Sequence, residues 1–117
     1  MKMEKKLVYT WFNKWELGQY HDLPISDGFK HHSPFGTIDG KSTYLNLIRK
    51  NEDKFLGHKF VILDEIFAEG KACVRYLAKQ NDFKMEVSEW YYFENGLISE
   101  IHAYYHIGEI REDRKLE

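Results

Sequence analysis

The chain has 117 residues, of which 43% are hydrophobic and 31% are charged, and its formal net charge is −2. This length predicts one domain over residues 1–117, and the composition excludes intrinsic disorder. Lysine and arginine are spread along the chain without a basic stripe, so we expect no nucleic-acid partner. Cys73 is the single cysteine, which excludes an internal disulfide.

Membrane and export signals are missing from the pattern of hydrophobic residues. No stretch approaches the roughly 20 apolar residues that cross a bilayer, and the first residues lack the apolar run of a signal peptide. The expected location is therefore the cytoplasm, without membrane association.

The first 51 residues predict a mainly helical half. Apolar residues at helical spacing, followed by Gly18, predict a helix over residues 3–17. Residues 19–40 contain many glycines and prolines and predict an irregular stretch, with a short strand at residues 29–33. A second helix follows, capped by Asp39 or Ser42, and ends near Asn51.

From residue 58 the hydrophobic period changes to two, which is typical of strands. Turn signals at Glu69-Gly70, Asn81-Asp82 and Asn95-Gly96 divide residues 58–107 into four strands. The four predicted strands cover residues 58–68, 71–80, 83–94 and 97–107. Short turns between consecutive strands predict an antiparallel meander, and residues 108–117 form a charged tail.

Glu89 interrupts the apolar face of the third predicted strand. Side chains alternate across a strand, so Glu89 shares its face with Val87 and Tyr91. A two-residue Asn81-Asp82 turn pairs Val74 with Glu89 and leaves Arg75 on the other face, beside Glu86.

A carboxylate among apolar groups needs a donor, a water-filled cavity or a bound proton. Burial would raise the pKa of Glu89, as at many catalytic acids. Two interpretations stay open: Glu89 lines a ligand pocket, or it caps a loop or pairs with a histidine or lysine.

The last strand has two possible registers, because a one-residue slip exchanges its faces. A two-residue turn places His102 and His106 on the Glu89 face, whereas one extra turn residue places Ile101, Ala103 and Tyr105 there. We favour the second register because it buries the more apolar set, and a later bulge could turn His106 inward.

The six histidines do not predict a metal site. His102 and His106 have ligand spacing for a helix, but on a strand they lie roughly 13 Å apart. His31 and His32 adjoin Ser33, and only tertiary folding could bring them near Glu89. We expect no metal and no cofactor.

Several motifs, in order, resemble the nuclear transport factor 2-like superfamily, in its SnoaL-like, ketosteroid isomerase-like branch. These are WELGQ at residues 15–19, HSPFG at 32–36, DGK at 39–41, SEWYYFENGLISEI at 88–101 and AYY at 103–105. The resemblance implies an α+β fold of cystatin-like type. N-terminal helices pack on a strongly bent antiparallel sheet, forming a cone with a central cavity, and members are commonly dimers.

The resemblance also assigns roles to individual residues. Glu89 falls where the isomerases keep a protonated acid that donates to the substrate oxygen, and His106 falls near the acid/base aspartate of polyketide cyclases. Trp11 and Ser33 stand where the isomerases have their oxyanion tyrosine and their base, so that particular reaction is not supported.

Two functions are compatible with these residues. The first is a cofactor-independent isomerase, cyclase or lyase acting on a small apolar carbonyl compound, with Glu89 as acid and His106 or His32 as base. The second is a non-catalytic ligand-binding or dimerising module. The expected pocket residues are Trp11, Trp15, Tyr44, Tyr76, Tyr91, Ile101, Ala103 and Tyr105. A homodimer would form through the outer sheet face, at Cys73, Leu77, Trp90 and Tyr92.

Overall fold

The computed structural model describes residues 2–106, 108 and 113, so the charged tail predicted at 108–117 lies almost wholly outside the described residues. Along the chain the elements are helix α1 (Lys2–Leu17), a 3-10 turn (Tyr20–Asp22), strands β1 (Ile25–Ser33) and β2 (Gly36–Asp39), helices α2 (Lys41–Lys50) and α3 (Glu52–Phe55), and strands β3 (Lys59–Ala68), β4 (Lys71–Gln80), β5 (Phe83–Glu94) and β6 (Leu97–Tyr104).

The strands form one six-stranded sheet in the order β2-β1-β6-β5-β4-β3. The predicted meander of β3 to β6 is confirmed, with boundaries close to those expected. One strand pair departs from the antiparallel sheet that the resemblance implied, because β1 pairs with β6 in parallel. Parallel pairing is possible because the chain between them contains β2, the helices α2 and α3, and β3 to β5, far more than a hairpin turn.

The irregular stretch contains more strand than its composition indicated. β1 begins at Ile25, directly after Pro24, and continues through Gly28. β2 pairs antiparallel with β1, so that His32 opposes Thr37. Pro24 and Gly28 read as breakers in the sequence, but a proline before a strand and a glycine at a register shift are both compatible with a sheet.

Helix α1 ends as predicted at Gly18, whose φ is 72°. The Gly18 amide donates to the Trp15 carbonyl at 3.2 Å, and the Gln19 amide donates to the Lys14 carbonyl at 2.8 Å. This pair of bonds is the Schellman ending, which needs a residue that tolerates positive φ. The next long helix, α2, is preceded by Gly40 rather than capped by Asp39 or Ser42.

The β5–β6 hairpin combines both registers considered for the last strand. Asn95 and Gly96, with φ of 52° and 75°, form a two-residue turn that pairs Glu94 with Leu97. The register then shifts between Tyr92 and Phe93, which leaves one extra residue in β6. The favoured register is confirmed beyond that point, because Tyr91 opposes Ile101 and Glu89 opposes Ala103. The extra residue is a strand bulge, and bulges bend a sheet.

The core lies between the helices and one face of the sheet. Phe12 of α1 packs edge-to-face on Tyr76 of β4, with ring centroids 4.8 Å apart. Tyr44 of α2 packs on Phe29 of β1 at 5.0 Å. Within the described residues, no helix is long and apolar enough to cross a membrane.

Candidate functional site

Glu89 lies in the middle of β5 on the face that packs against the helices. It is 3% exposed and stands between Val74 of β4 and Ala103 of β6. The prediction that Arg75 lies beside Glu86 rather than Glu89 is confirmed. Its guanidinium lies 3.5 Å from the Glu86 carboxylate, on the opposite face of the sheet. No cation therefore reaches Glu89 from that strand pair.

Aromatic donors, rather than a histidine or lysine, satisfy the Glu89 carboxyl group. The Tyr76 hydroxyl donates to Oε2 at 3.2 Å, and the Tyr91 hydroxyl donates to Oε1. The Trp11 side chain provides a further hydrogen bond. Tyr91 reaches Glu89 because residues two apart share a strand face, and Tyr76 reaches it diagonally across the β4–β5 pair.

Burial raises the pKa of Glu89 to about 7, although hydrogen bonds from Tyr91, Tyr76 and Trp11 act in the opposite direction. Burial also raises the pKa of Tyr76 and of Tyr91 well above the usual range, and the Glu89 charge adds to this effect. At neutral pH the site therefore contains neutral phenols around a carboxyl group whose pKa is raised toward neutrality.

A cavity of about 380 Å³ opens beside Glu89. This volume lies within the range of small-molecule sites, which are mostly apolar with a few polar groups. Its wall comes from both helical and strand elements and consists of Trp11, Trp15, His31, Phe35, Tyr44, Lys54, Phe55, His58, Phe60, Tyr76, Ala78, Phe83, Met85, Val87, Glu89, Ala103 and Tyr105.

His31 is the histidine of β1 that lines this cavity. Its ring stacks on Tyr44 with centroids 5.2 Å apart. Burial, together with smaller contributions from the nearby His32 and His102, lowers its pKa to about 4. Its Nδ1 is buried and makes no hydrogen bond with any described residue. His31 is therefore neutral at pH 7, with a ring nitrogen that can accept a proton.

The predicted site residues divide into two groups. Those that line the cavity are Glu89, Trp11, Trp15, Tyr44, Tyr76, Ala103 and Tyr105. Tyr91 and Ile101 are fully buried in the core instead. The Tyr91 hydroxyl contacts Glu89 by its hydrogen bond to Oε1. His32 lies on the outer sheet face, bound to Glu100. His106 is exposed, two residues beyond β6, and is not part of the wall.

His31, Phe55, Phe60 and Phe83 line the cavity but are not among the site residues that the sequence predicted. Alternation along β1 could have found His31, because Phe29 and His31 share a face that excludes His32. The short strand predicted at residues 29–33 includes this alternation, but no local pattern indicated which of its faces meets Glu89.

No protein-family model and no curated protein matches the sequence. Solved structures do match. A nuclear transport factor 2-like protein of unknown function from Cytophaga hutchinsonii has a TM-score of 0.76 and 20% identity over 88% of this chain and 89% of that one. A candidate ketosteroid isomerase from Kribbella flavida has a TM-score of 0.78 and 12% identity over 99% and 90%.

A third structure, a protein of unknown function with a cystatin-like fold from Methylobium petroleophilum, has a TM-score of 0.77 and 20% identity over 99% of this chain and 84% of that one. At such identities a structural match establishes the fold and leaves activity open. The chain therefore has the nuclear transport factor 2-like fold that its motifs predicted.

Proposed function

We propose that the protein binds a small apolar carbonyl compound in the cavity beside Glu89. There it would catalyse transfer of a proton from one carbon of this compound to another. The observation that carries this proposal is a buried carboxyl group with a pKa of about 7 in the wall of a 380 Å³ cavity. In its protonated form, Glu89 is a donor for a carbonyl oxygen, and the aromatic wall suits an apolar ligand.

The proton acceptor would be His31, which replaces the His32 and His106 of the sequence-based hypothesis. It lines the same cavity and is neutral at pH 7. His31 would remove a proton from the carbon next to the carbonyl while Glu89 donates its own proton to the oxygen, which gives an enol. If the enol is conjugated with a second double bond, His31 can return its proton to the far carbon while the enol O–H returns its proton to Glu89, which reforms the carbonyl and completes an isomerisation.

Two of the matched structures support this reaction class by description alone. One is the candidate ketosteroid isomerase from Kribbella flavida, and another is a candidate polyketide cyclase from Xanthomonas campestris with a TM-score of 0.72 and 11% identity. The two names refer to ketosteroids and polyketides, which are carbonyl compounds, and proton transfer on such compounds requires a proton donor and a proton acceptor at one cavity.

Hydrogen exchange tests this function without knowledge of the natural substrate. Cyclic and aryl ketones are incubated with the protein in D2O, and proton NMR records deuterium incorporation next to the carbonyl. We expect incorporation with at least one ketone, and a loss of roughly 100-fold or more in Glu89→Ala. Glu86→Gln, on the opposite face of the same strand, is the matched control and should retain the full rate.

The second candidate function is binding without catalysis. This function is favoured by the hydrogen bonds that the Tyr76 and Tyr91 hydroxyls donate to Glu89. A carboxyl group with these two donors does not need a substrate as a hydrogen-bond partner. Quenching of Trp11 and Trp15 fluorescence by the same ketones, without deuterium incorporation, would support this function and contradict the catalytic one.

We further propose that two copies pair through the outer face of the sheet. Ile66, Trp90 and Tyr92 expose 69%, 39% and 37% of their surface there. Cys73, which opposes both Ile66 and Trp90, and Leu77 complete the patch. Large exposed apolar groups on one face are typical of an interaction site.

A further inference from the structure

A cluster of two histidines and one glutamate lies on the outer face of the sheet, away from the Glu89 cavity. The parallel β1–β6 pairing sets His32 directly beside His102. Glu100 lies two residues before His102, so its side chain leaves the same face of β6. One residue from β1 and two from β6 therefore converge.

The three side chains meet at a single carboxylate oxygen. His32 Nε2 lies 2.7 Å from Glu100 Oε2, and His102 Nε2 lies 2.8 Å from the same atom. The two imidazole rings stack with centroids 4.1 Å apart and an interplanar angle of 13°. All three donor atoms lie within 4.8 Å of one another, which is close enough to contact one ion.

A supporting contact fixes the orientation of one ring. His32 Nδ1 lies 2.8 Å from the Thr37 hydroxyl of β2, which leaves Nε2 directed at Glu100. Metal-binding histidines almost always have such a partner on their other nitrogen, because it fixes the ring and the tautomer. The contact depends on the His32–Thr37 pairing in the β1–β2 hairpin.

The cluster is also accessible to an ion. The side chains of His32, Glu100 and His102 are 27%, 37% and 31% exposed. The two histidines border a small cavity of about 160 Å³, which includes Ser33, Pro34 and Tyr104. A ligand set of three with open space beside it would leave a coordination position for water or another small ligand.

We propose that His32, Glu100 and His102 form a site for a divalent transition-metal ion, with Zn²⁺ as the best fit. Imidazole nitrogen and carboxylate oxygen are ordinary Zn²⁺ ligands, and two histidines with one glutamate is a known three-residue set. On metal binding the Nε2 proton of each histidine would move to Nδ1 if the ring is neutral, or be released to water if the ring is charged. Bonds of about 2.0–2.2 Å at tetrahedral angles separate donor atoms by roughly 3.3 Å, so the two nearly parallel rings would have to tilt toward the ion.

The sequence did not indicate this site because its members are 68 and 70 positions apart between β1 and β6. His102 and His106, which do have ligand spacing along the chain, are not both in the cluster. The ligand pair forms only through the parallel pairing that places His32 beside His102.

Titration of the metal-free protein with Zn²⁺, followed by calorimetry, tests the proposal. The protein is produced without a polyhistidine tag and is dialysed against a chelator. We expect one ion per chain with a dissociation constant in the micromolar range or tighter. Glu100→Gln, which preserves side-chain shape, and His102→Ala should each weaken binding at least tenfold. His21→Gln changes an exposed histidine elsewhere and should leave binding unchanged.

The Zn²⁺ affinity of Thr37→Val distinguishes an organised metal site from surface histidines that bind ions without specific support. If Thr37 positions His32, its loss should weaken Zn²⁺ binding by about 10- to 100-fold while the fold is retained. Absence of saturable binding below about 1 mM Zn²⁺ would overturn the proposal, since such affinity is too weak for a built site. Wild-type affinity in both Glu100→Gln and His102→Ala would overturn it as well. Neither result depends on the Glu89 cavity, whose residues stay unchanged in every variant.

Discussion

His31 and His32 are consecutive in sequence but belong to different sites, because successive side chains of β1 point to opposite faces of the sheet. His31 lines the cavity that contains Glu89, and its Nδ1 is buried without a partner. His32 lies on the outer face, 2.7 Å from Glu100. One strand thus supplies a candidate proton acceptor to one side and a candidate metal ligand to the other.

The stability of Glu89→Gln should differ from wild type in a pH-dependent way. The folded state raises the pKa of Glu89 from 4.5 to about 7, so its stabilising contribution is complete below pH 4.5 and is lost as pH rises to about 7. The difference between wild-type and variant free energies of unfolding should change by about 3 kcal/mol over that window.

Denaturant unfolding at several pH values measures this difference. His31 acts in the opposite direction, since its pKa is lowered to about 4 and its contribution is lost as pH falls. Because His31 is present in both proteins, its effect cancels in the comparison. A difference that stays constant from pH 4.5 to 7 would show that Glu89 has an ordinary pKa.

Removal of the Tyr91 hydroxyl should raise the pKa of Glu89 further. The Tyr91 hydroxyl donates to Glu89 Oε1 and favours its ionised form. A hydrogen bond to a charged group contributes about 1.5–3 kcal/mol, so Tyr91→Phe should raise the pKa by about one pH unit or more. Carboxyl NMR titration measures it, with Tyr92→Phe on the outer face as control. Equal pKa values in both variants would contradict the hydrogen bond.

His31→Gln should abolish deuterium exchange while it preserves ketone binding. Glutamine occupies similar space and remains polar, but it cannot act as a base near neutral pH. Loss of a general base reduces a rate by about 100- to 10,000-fold. His58→Gln, at another histidine of the same wall, is the matched control. An unchanged exchange rate in His31→Gln would exclude His31 as the acceptor.

Multi-angle light scattering should show a dimer at micromolar concentration. Trp90→Lys places a charge in the exposed apolar patch of the outer face and should produce monomers, because burial of an unpaired charge at an interface is unfavourable. Lys84→Gln, at the far end of the same strand face, should leave the dimer intact. A monomeric wild type would contradict pairing through this face.

Local patterns in the sequence determined much of the meander and the position of Glu89. The turns at Glu69-Gly70, Asn81-Asp82 and Asn95-Gly96 end the strands where expected, since few residues adopt positive φ without strain. Alternation then assigned Glu89 to the apolar face and Arg75 to the other. These features depend on neighbouring residues alone, so the sequence determines them.

Tertiary structure decided which distant groups share a site. The parallel pairing of β1 with β6 joins segments about 70 positions apart, and no local pattern specifies that partner or its register. That pairing directs His31 toward the cavity and His32 toward Glu100 and His102. The raised pKa of Glu89 likewise depends on burial, which is completed by helices from other parts of the chain. Alternation along β5 indicates the face on which Glu89 lies, but it does not determine how deeply that face is buried.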